Sequence, residues 1–175
     1  MSKAAGPSGG AGGVQWGAVA SGWAITVLVA TVIDPILVLL YGLFTGASTE
    51  REELTATVVV ISGVSGFLSY LVGGYVAARM ARYSGGKHGA LTAVFGLILG
   101  VILAMVLALF GRVFAGGIAV PPASFGFADV VPPASFGLAG DALASGLVLF
   151  LVNLFGGFVG GKLGEPYHPS VERRK

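Results

Sequence analysis

One acid and one base stand out in an otherwise apolar chain: Asp34 in "VIDPIL" and Arg112 in "LFGRVF". A carboxylate at membrane depth costs at least ~2.5 kcal/mol, so it marks an ion pair or a proton or cation path. Counting ~1.5 Å per helical residue, Asp34 lies about 25 Å above Gly17 and Arg112 about 34 Å above Gly89. Both end a stripe of small residues, which points both toward helix contacts and makes Arg112 the expected partner of Asp34. The bland alternative is an acid that snorkels to the outer interface beside a bend at Pro35. Tyr70, Asn153, Ser65 and Ser69 add hydroxyl and amide groups within apolar runs. Such groups line a solute path or simply hydrogen-bond between helices, and their types alone do not separate the two.

The stretch "VGGYVAARMARYSGGKHGAL" (Val72 to Leu91) gathers glycines, cations and His88 between two apolar runs. It is not a phosphate loop: that motif needs G-x-x-x-x-G-K-[ST], and here His88 follows Gly86-Lys87 while Ala81 holds the first glycine position. His88 has no second histidine or carboxylate cluster beside it, so no metal site is expected. The chain has no cysteine, which excludes disulfides and thiolate chemistry. No Ser-His-Asp set, HExxH or dinucleotide fingerprint is visible, so we expect neither an enzyme nor a cofactor. A net charge of only +2 does not indicate a nucleic-acid binder. The stretch reads best as a solvated turn whose cations set membrane orientation.

The elements that must position these residues follow from composition. Of 175 residues, 55% are hydrophobic and 10% charged, against roughly 25% charged in soluble domains. Mean hydropathy is +0.89. Such a chain belongs in a membrane, and the expectation is a multi-pass protein of the cell membrane with the lipid bilayer as its first partner. A bilayer core needs ~20 apolar residues in a helix. Four runs satisfy this, at about 14–44, 54–78, 89–111 and 142–161. The expected fold is all-α, with four transmembrane helices spanning 14–164, an outer loop at 112–141, a disordered tail at 1–13 and a basic tail at 165–175. No cleaved signal peptide is read. With the N-terminus inside, Lys3, Arg79, Arg82, Lys87, Lys162, Arg173, Arg174 and Lys175 fall on the inner face, leaving only Arg51 and Arg112 outside. That bias predicts both termini in the cytoplasm.

Residues four apart share a helix face, and small residues recur at that spacing. Helix one carries Ala18, Gly22, Thr26, Ala30 and then Asp34, and helix two Ser65, Ser69, Gly73 and Ala77. Helix three carries Gly96 and Gly100, and helix four Gly156, Gly160 and Gly164, a doubled GxxxG. These stripes predict close helix contact, within one four-helix core or in a homo-oligomer. "GGYVAAR" (Gly73 to Arg79) also parallels "GGFVGGK" (Gly156 to Lys162), and "WGAVASG" (Trp16 to Gly22) loosely parallels "HGALTAV" (His88 to Val94). The expectation is two parallel hairpin repeats. In the outer loop "VPPASFGFA" (Val120 to Ala128) recurs eleven residues later as "VPPASFGLA" (Val131 to Ala139). Phe125 and Phe136 are then candidates for docking on a partner or dipping into headgroups.

"GGYVAARMARYSGGKHGALTAVFGL" and the terminal "FGGFVGGKLG" resemble small four-helix prokaryotic membrane proteins of uncharacterised function, the YrzE-like group and its archaeal relatives. The shared features are a GG-aromatic ending of helix two, a basic glycine turn, an HGAL-like start of helix three and a glycine-rich end of helix four. The likeness covers mainly Gly73 to Gly100 and Gly156 to Gly164. Ala78 stands where the group commonly has glycine, and the proline-rich repeat is not one of its features. The resemblance implies a fold and no activity. The functional expectation is therefore a structural or accessory glycine-packed bundle, alone, self-associated or in a larger membrane complex. The alternative is a small channel or carrier with an intramembrane acidic site.

Overall fold

The computed structural model describes residues 13–46, 56–81, 83–114 and 140–165, without the side chains at 56–58, 103–105, 107–114 and 140–143. Residues 1–12 and 166–175 of the tails and 115–139 of the outer loop, with Phe125 and Phe136, lie outside the described residues, and α3 and α4 take up the two ends of that loop. The chain is all-helical over these segments: α1 (Trp16–Thr45), α2 (Ala56–Ala81), α3 (Gly85–Phe114) and α4 (Gly140–Gly164). Each helix is long and apolar enough to cross a membrane. Their outward faces carry large apolar side chains such as Leu28, Leu39, Val60, Ile98 and Leu151, as expected where lipid rather than water is the solvent.

α1 runs through Pro35 without interruption. Proline removes one N–H, and membrane helices tolerate this better than soluble ones. α1 ends at Gly46, whose φ of +67° suits a residue without Cβ and lets its N–H donate to the Gly42 carbonyl at 2.8 Å. The connection between α2 and α3 is shorter than a solvated glycine turn. α3 begins at Gly85, so Lys87 and His88 are already helical. The Ser84 carbonyl accepts the Lys87 and His88 N–H groups at 3.0 and 3.2 Å, and the Ser84 φ of 51° makes the corner.

The helices alternate in direction. Gln15 meets His88 and Gly85 meets Glu165, which brings the start of α1, the α2–α3 corner and the end of α4 to one end of the bundle. α2 and α3 each pack on all three other helices, whereas the backbones of α1 and α4 do not approach each other among the described residues. The two hairpins are therefore not packed as interchangeable copies, because α2 meets α3 where the matching pair, α4 and α1, stays apart.

Glycine makes this packing possible. Along α4, a methyl on Gly156 would lie 2.6 Å from the Phe67 carbonyl oxygen, and methyls on Gly160 and Gly164 would meet the Leu71 and Tyr75 carbonyls. These three glycines rest against α2. Their sequence neighbours Gly157 and Gly161 turn the other way, against the backbone of Gly89 and Gly85 in α3. α4 thus presents two adjacent glycine faces to two helices of its own chain. At such distances dispersion and weak Cα–H···O contacts carry the attraction that lipid cannot supply. The buried face of α1 is Ala18, Val19, Gly22, Thr26, Val27, Ala30 and Asp34, and nothing beyond Asp34 on α1 is buried.

Candidate functional site

The polar residues of the interior fall into three groups. The first consists of threonines whose hydroxyls return to their own helix. Thr26 donates to the Gly22 carbonyl at 3.0 Å, and Thr92 donates to the His88 carbonyl at 2.9 Å. Both are fully buried. Thr26 fills the α1–α2 crossing, where its hydroxyl lies in the space a Cβ on Gly73 would occupy. Such self-satisfied hydroxyls offer nothing to a passing solute.

The second group sits in the middle of the bundle. Tyr70 of α2 is buried, and its hydroxyl occupies the space over Gly96 of α3, beside the Trp23 indole. Trp23 stands edge-on to Phe95, with ring centroids 6.0 Å apart. Asn153 of α4 lays its side-chain oxygen in the space left by Gly66 of α2. Gly96 and Gly66 are thus paired with polar side chains, while Gly73 pairs with the α1 backbone at Gly22 and with Thr26. Gly100 is buried on the same helix as Gly96. The Ser69 Oγ and the Asn153 Oδ1 are buried and make no hydrogen bond.

The third group is Asp34 with Ser65. Asp34 is 5% exposed and Ser65 2%. Gly22 and Thr26 face Gly73 and Ala77 in antiparallel register, which puts Asp34 level with about residues 61–65 of α2, the turn that ends in Ser65. Asp34 does not snorkel to the surface. Arg112 belongs to α3, and its side chain lies outside the described residues. The register nevertheless bears on the expected pair. Gln15 lies beside His88, Gly22 beside Thr92 and Trp23 beside Gly96, so Asp34 is level with about residues 104–107 of α3, and Arg112 begins roughly 8–12 Å further along at ~1.5 Å per residue. A fully extended arginine is needed to cover that distance.

His88 differs most from its reading in the sequence. It is 4% exposed rather than solvated, because α3 starts early and turns the imidazole inward. Its partners, Gln15 and Ser84, are backbone groups. The contact with Gln15 joins residues 73 apart, and nothing in the residue types announces it. Gly157, Gly161, Gly85 and Gly89 were legible only as members of GG or G-x-x-x-G pairs. A GG pair repeated at i+4 marks two adjacent contact faces, and that signal is present in "GGFVGGK". Among the described residues no group of three His, Asp or Glu side chains could hold a metal.

Fold and interior together define the class: a helical bundle of four membrane-length segments held by glycine contacts, with a small buried polar interior. Comparison with family models, curated proteins and solved structures gives no match to this chain.

Proposed function

We propose that the protein is a structural or accessory component of the cell membrane, a glycine-packed four-helix bundle with both termini in the cytoplasm. One observation carries this reading: at the inner end, α4 lies in backbone contact with α2 through Gly156, Gly160 and Gly164 and with α3 through Gly157 and Gly161. Helices so close leave no lumen between them there, and the threonines nearby bond to their own carbonyls. The glycine-pattern resemblance to the YrzE-like group and the matching hairpin motifs support the same architecture. Because α4's glycine faces are covered by its own chain, a partner meets the bundle elsewhere, and the proline-rich outer loop with Phe125 and Phe136 is the candidate.

A second reading, a small channel or carrier, is favoured by the Ser69 Oγ and Asn153 Oδ1, buried polar atoms without a hydrogen bond. Purified protein in liposomes separates the two. Under the structural reading, proton and potassium flux equals that of empty liposomes, and affinity capture from detergent-solubilised membranes brings down a stoichiometric partner or a second copy. Flux that disappears with Asp34→Asn establishes the carrier reading instead.

A further inference from the structure

The His88 ring is held at both nitrogens. Its Nδ1 lies 3.1 Å from the Ser84 carbonyl oxygen, and its Nε2 lies 3.0 Å from the Gln15 backbone nitrogen. A carbonyl only accepts and a peptide N–H only donates, so the partners dictate the tautomer: neutral imidazole, protonated on Nδ1 and accepting at Nε2. An imidazolium carries N–H on both nitrogens and would set Nε2–H against the Gln15 N–H. The bond to Gln15 is therefore open only to the neutral ring.

We infer that His88 is a pH-sensitive latch that ties the start of α1 to the α2–α3 corner and releases it on acidification. Gln15 is the N-cap of α1, and its own side chain makes no capping bond. Its carbonyl accepts the Ala18 and Val19 N–H groups at 3.0 and 3.2 Å, so α1 begins at the residue His88 holds. α1 brings no ionisable group before Asp34, and neither α1 nor α3 has an acid in its first turn. The other charged groups described at this end of the bundle are Arg79 of α2, Lys87 of α3 itself, Lys162 of α4 and Glu165 just after it. Glu165 is the one acid among them, and its carboxylate is engaged by the Gly85 N–H at 3.3 Å and by Lys162 at 3.2 Å. The latch is closed on the neutral imidazole and open on the imidazolium, which has no acceptor left for the Gln15 N–H.

Hydrogen exchange of the full chain in lipid nanodiscs at pH 8 and pH 5.5, corrected for intrinsic exchange, tests this. Segment 15–19 should lose roughly three- to tenfold protection at the lower pH, the size of one net hydrogen bond, while the end of α4 stays unchanged. His88→Gln can donate to Ser84 and accept from Gln15 without titrating, so it should keep its protection at both pH values. A pH-independent parent, or an equal loss in H88Q, overturns the latch. Should H88Q fail to fold, histidine ¹⁵N spectra of the parent carrying His168→Gln decide. A neutral ring protonated on Nδ1 at pH 8 is expected, and a ring protonated on Nε2 overturns the proposal.

Discussion

Asp34 sits where the small-residue face of α1 runs out, buried and level with Ser65. Replacing a buried charge that has a charged partner costs roughly 3–5 kcal/mol, because the partner stays desolvated alone. Asp34→Asn and Arg112→Gln are each expected to lower the detergent melting temperature, and the double variant to regain part of the loss, with a coupling above ~0.5 kcal/mol in the double-mutant cycle. Simple additivity would mean that the arginine does not span the depth gap. Ser69→Ala is a complementary probe. Its hydroxyl makes no hydrogen bond, so removing it should leave melting unchanged or slightly raised, and a drop beyond about 1 kcal/mol would reveal a partner. Residue types and i+4 spacing sufficed to place Asp34 on an inward stripe. They did not reveal that His88 is buried, because burial there depends on α3 starting at Gly85 and on a contact 73 residues away.

At the scale of the helix, the glycines are not equivalent, and the structure ranks them. Gly160→Ala drives a methyl into the Leu71 carbonyl, backbone that cannot rotate away, and so do changes at Gly74, Gly89 and Gly157 against their own backbone neighbours. A loss of roughly 1–3 kcal/mol or more is expected, read as a lower melting temperature and reduced recovery of folded protein. Gly66→Ala first meets the Asn153 amide, the end of a flexible side chain, so it should cost less. A methyl on Gly17 would have no neighbour within 4 Å, and Gly17→Ala should be neutral or stabilising by about 0.5–1 kcal/mol through helix propensity. If Gly160→Ala and Gly17→Ala melt alike, the α2–α4 contact is not what holds the bundle. The existence of four helices was legible from apolar run length. Which helix each stripe meets was not, since a face of small residues fits any other such face and lipid imposes no preference.

For the whole molecule, alternating helix directions put both described ends of the chain together, and the cation count predicts that this end faces the cytoplasm. The absence of cysteine makes this measurable without a background. Single cysteines at Ser48 and Ala123 should react with an impermeant maleimide on intact cells, whereas cysteines at Ser2 and Ser170 should react only after permeabilisation. Labelling of Ser170→Cys on intact cells would reverse or break the topology.

The parallel course of α2 and α4 has an electrostatic consequence. Two helices in backbone contact and pointing the same way set two partially negative C-termini side by side, an arrangement that repels. Arg79 lies in the last turn of α2 and Lys162 in the last turn of α4, where a cation answers that charge. Lys87 occupies the first turn of α3, where the backbone is already positive. Three cations that count equally for orientation therefore differ for stability. Neutralising Arg79 or Lys162 should weaken the α2–α4 seam, and neutralising Lys87 should leave it intact or tighten it.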